Sequence, residues 1–135
     1  MIGIDTNVLV RFLVRDDEQQ FEKAQKLIGR EWDRGTSVMV SQLVLLEAEW
    51  VLRSRYALGK GEILRAFSGL LESKEFDVED ETSVERALFL WKDSSAQFAD
   101  CLIGARHLAL GCRATASFDA RALSCRDSFQ YRTRR

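Results

Sequence analysis

Short β-branched apolar segments alternate with longer amphipathic segments along the chain, and this alternation constrains the fold more than any other feature. The short segments are typical of buried strands, and the longer ones show helical apolar periodicity. The predicted strands are residues 1–5, 37–40, 76–78, 112–117 and 129–133. Since strands that alternate with helices form parallel sheets covered on both faces, we predict an α/β fold with a mostly parallel sheet.

The helices are predicted from apolar periodicity and from residues that favour helix ends. Thr6 is placed to cap the first helix and Ser41 the third, and Gly35 follows the end of the second. A capping-box pattern over residues 94–97 is expected to begin the last long helix. The predicted helices span residues 7–14, 16–35, 42–56, 60–73, 81–93, 94–111 and, as a short helix, 119–123.

Size and composition indicate one soluble domain over residues 1–135. A chain of 135 residues with 46% hydrophobic residues can bury a core. No apolar stretch approaches the roughly 18 residues that span a bilayer, and no secretory signal is evident, so we expect a cytoplasmic protein without membrane contact. Three cysteines, Cys101, Cys112 and Cys125, match no zinc motif and are expected to be free structural thiols.

The charge of the chain is nearly balanced but unevenly distributed. A net charge of -1 excludes a basic field over the whole protein that would attract nucleic acid. Residues 121–135 nevertheless carry five arginines against one acid, Asp127. A solvated chain end is the simpler interpretation of this segment, and a phosphate-contacting edge is the alternative.

Three acidic residues lie at the ends of predicted elements. Two of them follow strands, and one lies near the start of a helix. Asp5 and Asp119 each follow a predicted strand, at the end where parallel α/β sheets bind ligands, although either could cap a helix or form a turn. Asp100 lies early in a helix, on the face of Gly104 and His107, where a helix N-terminus favours an acid in any case. His107 is more simply a hydrogen-bonded boundary residue than a catalytic one.

Glu47 interrupts the face of the helix 42–56 that is expected to be buried. The other members of this face are Leu43, Val44, Trp50 and Val51. Glu49 is expected on the opposite, solvated face beside Arg53. A carboxylate within an apolar face is costly unless it is paired, so Glu47 is a site residue, half of a buried ion pair or a residue at the edge of the face.

The four acids agree with one geometry, in which strand ends and sheet-facing helices bring the carboxylates into a common cleft. Crowded carboxylates repel each other unless they hold protons or a cation. All-oxygen ligation suits Mg²⁺ or Mn²⁺, and the lack of a His/Cys cluster argues against zinc. Such a site supports phosphodiester hydrolysis. Neither an activated serine or cysteine nor a glycine-rich phosphate loop is evident.

Four segments of the chain carry a resemblance to a known family. They are "IDTNVLVRFLVRDD", "SQLVLLEAEWVLRSRY", "QFADCLIGARH" and "ATASFDAR". In this order they resemble the motifs of PIN-domain proteins, and most of all the VapC-type ribonuclease toxins of bacterial type II (VapBC) toxin–antitoxin systems. The resemblance covers nearly the whole chain.

The resemblance implies a three-layer α/β/α fold and an acidic quartet. Asp5 and Asp100 match the positions most often described as metal ligands. Glu47 and Asp119 complete the quartet, as further ligands or as groups that orient water. The positions that match supporting residues of the family are Thr6, Asn7, Ser41 and Ser117.

The resemblance also implies an activity and partners. The activity is that of a Mg²⁺- or Mn²⁺-dependent endoribonuclease toxin that cuts structured RNA such as transfer or ribosomal RNA. The partners are a second copy in a homodimer and a small VapB-like antitoxin that obstructs the acidic pocket, with DNA contacted only through the antitoxin. Apolar candidates for the antitoxin contact are Phe12, Leu13, Trp50 and Leu52, although core packing is the simpler role for each.

Three alternatives to a toxin stay open. A PIN-domain nuclease of RNA processing would keep the fold and the chemistry without the toxin role. A metal-dependent phosphatase related to haloacid dehalogenases would need an acid two residues after Asp5, where this chain has Asn7. A non-catalytic binding module would use the four acids only as caps or ion-pair partners.

Overall fold

A computed structural model describes residues 1–125 with their side chains and residues 128–130 as backbone. The chain divides into two compact units, Met1–Glu81 and Thr82–Arg135. Helices alternate with strands in the chain order, and the strands pair in parallel in both units. The predicted α/β fold with parallel strands is therefore confirmed.

The first unit is built from three parallel strands and the helices between them. β1 (Ile2–Gly3), β2 (Val38–Val40) and β3 (Phe76–Val78) pair in that order. Val38 and Val40 of the central strand are fully buried, as expected for β-branched residues in a covered parallel sheet. The helices of this unit are α1 (Thr6–Leu13), α2 (Glu18–Asp33), α3 (Gln42–Ser54) and α4 (Lys60–Glu72).

The second unit contains two long helices and a pair of parallel strands. α5 (Glu81–Lys92) begins at the last residue of the first unit and continues into the second. The elements that follow are α6 (Phe98–Ala109), β4 (Thr115–Ser117), a 3-10 helix (Ala122–Ser124) and β5 (Ser128–Gln130). Of the strand predicted at 129–133, residues 129 and 130 belong to β5, and residues 131–133 lie outside the described residues.

The cap of α1 differs from the prediction, whereas the cap of α3 agrees with it. Asp5 rather than Thr6 caps α1, because its Oδ1 accepts a hydrogen bond from the Val8 N–H at 3.0 Å. Thr6 is the first helical residue. Ser41 caps α3 as predicted, with its Oγ accepting from the Val44 N–H at 3.2 Å. Both side chains satisfy N–H groups that have no partner within the helix.

The face of α3 that packs into the protein is not the predicted one. Its buried residues are Leu45, Ala48, Glu49 and Leu52. Leu43 is 78% and Trp50 is 51% exposed, and Glu47 is exposed between them, so the predicted apolar face meets solvent. The expectation of a solvated Glu49 is also wrong. Because Arg53 Nε lies 2.9 Å from Glu49 Oε1, the buried carboxylate has a charged partner.

Core packing accounts for two of the four apolar residues considered for an antitoxin contact. Leu52 is 0% exposed. The ring of Phe12 packs against Phe76, with 5.3 Å between the ring centroids. Leu13 is partly buried, whereas Trp50 is half exposed. Trp50 is therefore the most accessible of the four.

Three features outside the sheets bear on the predictions. The cysteines are free thiols as predicted, with Cys101 and Cys125 buried and Cys112 exposed. Within the described part of the chain, no helix has the length and apolar character to cross a membrane. Four of the five arginines in the segment 121–135, which was predicted to be solvated or to contact phosphate, fall in residues 126–127 and 131–135, and these lie outside the described residues.

Candidate active site

Three polar residues follow the strands of the first unit at the carboxyl edge of its sheet. Asp5 follows β1, Ser41 follows β2 and Glu79 follows β3, at positions that the parallel pairing makes level with one another. Glu79 Oε1 accepts a hydrogen bond from the Gln42 N–H at 2.9 Å, next to the Ser41 cap. Two side chains from this edge therefore hold the start of α3, the helix that carries Glu47.

Asp5 is exposed and is oriented by its own helix. The backbone at Asp5 is extended, with φ of -87° and ψ of 177°, which turns the chain from β1 into α1. Oδ1 is held by the Val8 N–H. Oδ2 has no hydrogen-bond partner among residues 1–125. The cap thus fixes one carboxylate oxygen and leaves the other free to bind a ligand.

Glu47 lies beside Asp5 on one surface. Both residues line a pocket of about 360 Å³, which we call the acidic pocket and which is also lined by Thr6, Asn7, Leu43 and Val44. No lysine, arginine or histidine in the described residues forms an ion pair with Glu47. The structure therefore brings two of the four predicted acids together with two of the predicted supporting residues, and it gives Glu47 no ion pair that would explain its position.

Asp100 is part of the helix start in the second unit. It occupies the third position of α6, and its Oδ2 accepts a hydrogen bond from the Gln97 N–H at 3.0 Å. The capping box is thus formed by Gln97 and Asp100 and not by Ser94 and Gln97, as the sequence pattern had suggested. Asp100 is partly exposed, and its neighbour Cys101 is buried. A backbone N–H at a helix start therefore orients the Asp100 carboxylate, as the Val8 N–H orients that of Asp5.

Asp119 follows β4 in a turn that its own side chain stabilises. Its Oδ1 accepts a hydrogen bond from the Arg121 N–H at 2.9 Å. The Asp119 N–H donates a hydrogen bond to Ser117 Oγ at 3.0 Å, so Ser117 stabilises the same turn. Asp119 is exposed and forms no ion pair with the described residues.

Helix α6, which carries Asp100, packs on β4, the strand that Asp119 follows. His107 Nδ1 lies 2.8 Å from Thr115 Oγ1, and a Cβ at Gly104 would lie 3.9 Å from the same oxygen. The C-terminal half of α6 therefore packs against Thr115 at the start of β4. His107 has the hydrogen-bonded structural role that the sequence favoured.

The carboxylates have the chemistry of a site for a hard cation. Asp5, Asp100 and Asp119 each keep one oxygen without a hydrogen-bond donor among the described residues, and Glu47 keeps both. Oxygen donors of this kind fit Mg²⁺ or Mn²⁺. Among the described residues of either unit, no three His, Cys, Asp or Glu side chains form a group that could hold a metal ion. The four-carboxylate cluster therefore stays a prediction.

A second pocket adjoins the acidic pocket in the first unit. Its volume is about 550 Å³, and it shares Thr6, Asn7 and Glu47 with the acidic pocket. We call it the aromatic pocket, because Trp50 and Tyr56 line it. The other residues that distinguish it from the acidic pocket include Arg11, Val51 and Arg55. The sequence alone did not indicate Arg11, Arg55 or Tyr56 as site residues. Only their convergence on Glu47 in three dimensions identifies them.

Two comparisons with known proteins agree with the motifs of the sequence. The chain matches the sequence model of the family described as PIN domain over residues 2–125. It is 25% identical over 118 residues to a protein of Aquifex aeolicus (strain VF5) named VapC ribonuclease, and the aligned part covers 87% of each chain. The match spans both units.

Proposed function

Because the chain belongs to the PIN domain family, we propose that it is a metal-dependent endoribonuclease that acts as the toxin of a type II toxin–antitoxin pair. The similarity to a protein named VapC ribonuclease, over 87% of this chain, supports the ribonuclease and toxin parts of the proposal. The observation that carries the chemistry is the presence of Asp5 and Glu47 in one exposed pocket, where no cationic side chain of residues 1–125 is bound to either.

The residues that would hold the metal are Asp5, Glu47, Asp100 and Asp119, which form no ion pair within residues 1–125. Mg²⁺ and Mn²⁺ are the cations that fit this donor set, because both prefer oxygen ligands. Such a cation, when bound, makes the attacking water more acidic and offsets the charge on the phosphate and on the leaving oxygen. Without a cation, four carboxylates would repel the RNA backbone.

The remaining site residues position these carboxylates and the substrate. The helix starts hold Asp5 and Asp100 in fixed orientations through the Val8 and Gln97 N–H groups. The Thr6 hydroxyl and the Asn7 amide line the acidic pocket. We propose that they donate hydrogen bonds to phosphate oxygens of the RNA, where a preorganised donor is worth most.

The nuclease part is tested by cleavage of transfer and ribosomal RNA by the purified protein with Mg²⁺ or Mn²⁺. We expect Asp5→Asn and Asp100→Asn each to slow cleavage by more than about 100-fold, since loss of groups that merely support a ligand already costs 10- to 100-fold. EDTA should stop the reaction. The matched control is Asp33→Asn, an exposed acid at the end of α2. Cleavage by the Asp5 and Asp100 variants at the wild-type rate would refute the proposed site.

We also propose that the protein acts in the cytoplasm as a homodimer and binds a VapB-like antitoxin. Contact with DNA would occur only through that antitoxin. Expression of the chain alone should arrest bacterial growth, and co-expression of a small DNA-binding protein encoded directly upstream should restore it. Growth arrest should disappear with Asp5→Asn. A nuclease that cuts RNA in vitro but does not arrest growth would instead favour an RNA-processing enzyme of the same family.

A further inference from the structure

The aromatic pocket carries features that the hydrolytic chemistry of the carboxylates does not use. Trp50 is 51% exposed and lines the aromatic pocket beside Arg55 and Tyr56. Its ring stacks on no aromatic side chain and makes no hydrogen bond among residues 1–125. An exposed indole without a stacking partner, carried on a helix, can stack with another planar group.

Positive charge lies in the same pocket. Arg11 Nη1 is 3.1 Å from Asp16 Oδ2 and 3.4 Å from the Tyr56 hydroxyl, so its charge is partly neutralised within the protein. Arg55 directly follows α3 and is exposed. Its side chain has no ion pair or hydrogen bond with the described residues. Arg55 is therefore a cation that remains available for a phosphate on this surface.

The composition of the pocket favours a nucleotide over an apolar peptide. A groove for an amphipathic helix is lined mainly by aliphatic side chains. Here only two aliphatic residues, Val10 and Val51, line the pocket, together with two guanidinium groups, a phenol, an amide, a hydroxyl, one indole and the Glu47 carboxylate. An aromatic platform next to arginines is the combination that proteins use to bind single-stranded nucleic acid, because every base has a face to stack and every link has a phosphate.

We propose that the aromatic pocket is a subsite for an unpaired nucleotide of the RNA, with the base stacked on Trp50 and its phosphate beside Arg55. The inference rests on the proposed nuclease function. The base in this subsite is unpaired, because a base within a duplex is already stacked between its neighbours and cannot lie on an indole. Glu47, Thr6 and Asn7 belong to both pockets, so an RNA strand that fills the subsite continues directly into the acidic pocket.

The subsite is tested by binding rather than by cleavage, so that its failure can be told from failure of the proposed function. The probe is a fluorescein-labelled single-stranded RNA of about ten nucleotides, compared with the same sequence in a duplex. Mg²⁺ is present to offset the charge of the carboxylates, and every protein carries Asp5→Asn so that the RNA is not cleaved. Fluorescence anisotropy should show tighter binding of the single strand. Trp50→Ala should weaken it about 5- to 150-fold, the range that loss of one stacked base produces.

Conservative variants separate stacking from damage to the fold. Trp50→Phe should retain most of the affinity but lose the quenching of tryptophan fluorescence that RNA causes in the protein with Asp5→Asn alone. Arg55→Ala should reduce the slope of log affinity against log salt by about 0.7, as expected for one phosphate contact with a single strand. The matched controls on α2 are Trp32→Ala, which removes a tryptophan that is 47% exposed, and Arg30→Ala.

Several results would overturn the subsite while leaving the nuclease intact. One is equal binding of the single strand by the Asp5→Asn protein with and without Trp50→Ala. Another is equal binding of the single strand and the duplex by the Asp5→Asn protein. If Trp50→Ala weakens binding of the purified antitoxin but not of RNA, the pocket is a protein-docking surface and the proposal is wrong. Failure of the proposed function has a different signature, which is RNA cleavage that does not depend on Asp5.

Discussion

Asp5 Oδ1 accepts a hydrogen bond from the Val8 N–H at 3.0 Å, which makes a candidate metal ligand also the cap of helix α1. Capping and ligation are therefore not competing explanations of this residue. The cap uses one oxygen and holds the carboxylate at the sheet edge, and the second oxygen has no partner among the described residues. Asp100 combines a capping hydrogen bond with a free oxygen in the same way.

Two substitutions of Asp5 should separate its two roles. Asn caps helices about as well as Asp, whereas Ala removes the cap at a cost of about 1 kcal/mol. We expect Asp5→Asn to leave the free energy of unfolding nearly unchanged and Asp5→Ala to lower it by about that amount. Both variants should lose RNA cleavage. Urea denaturation without metal measures the first effect, and retained cleavage by Asp5→Asn would show that only the cap matters.

Glu47 and Glu49 form a matched pair on α3 with opposite expected effects. Glu47 is exposed and unpaired within the described residues, so Glu47→Gln should change the free energy of unfolding by less than about 0.5 kcal/mol but abolish cleavage. Glu49 is 4% exposed and pairs with Arg53, whose side chain is 43% exposed. Glu49→Gln should lower the free energy of unfolding by about 1–2 kcal/mol, discounted for that exposure, and keep the activity of the folded protein.

The same two variants test the placement of α3. A helix packed on the predicted face would make Glu47→Gln the destabilising change and Glu49→Gln the neutral one. Urea unfolding midpoints together with cleavage rates of both proteins distinguish the two orientations.

The three cysteines should differ sharply in their rates of alkylation. Cys101 is 0% and Cys125 is 1% exposed, whereas Cys112 is exposed. Burial and the neighbouring Cys125 thiol raise the pKa of Cys101 to about 12, so it holds almost no reactive thiolate at neutral pH. Brief treatment of the native protein with iodoacetamide should add one adduct, located by peptide mass spectrometry at Cys112. Rapid addition at Cys101 without denaturant would contradict this packing.

Gly104 and Gly29 are helix-interior glycines whose surroundings differ. Ala at either position should raise the free energy of unfolding by about 0.5–1 kcal/mol, since a Cβ at Gly104 would make only ordinary contact with Thr115 and one at Gly29 would meet nothing within 4 Å. A larger side chain should tell them apart. Gly104→Leu would press on Thr115 of β4, the strand that Asp119 follows, with a cost of about 1–3 kcal/mol and weaker cleavage, whereas Gly29→Leu should be tolerated.

Thermal unfolding and cleavage assays on the four glycine variants check this prediction. Equal tolerance of Leu at both positions would mean that α6 does not pack closely on β4.

Local physical chemistry allowed much of the fold to be predicted from the sequence. Ser41 before an apolar helix and Gly35 after another mark helix ends because their requirements are met within a few residues. Gly35 indeed adopts φ of 77°, and Ser41 caps α3. The α/β alternation and the parallel strands follow from the same local patterns. The caps predicted at Thr6 and Ser94 were wrong. In each case an acid nearby in the chain, Asp5 or Asp100, accepts the hydrogen bond at the helix start instead.

The sequence by itself determined which acids deserve attention, since Asp5 and Asp119 follow strands whose ends are marked locally. Only the tertiary structure decided which face of α3 is buried. That helix has apolar residues on two faces, and a choice between them depends on the shape of the surface it packs against. The choice put Glu49 inside with Arg53 and left Glu47 beside Asp5, with Trp50 exposed next to it. No periodicity within the helix contains that information, because the partner surface is made by residues distant in the chain.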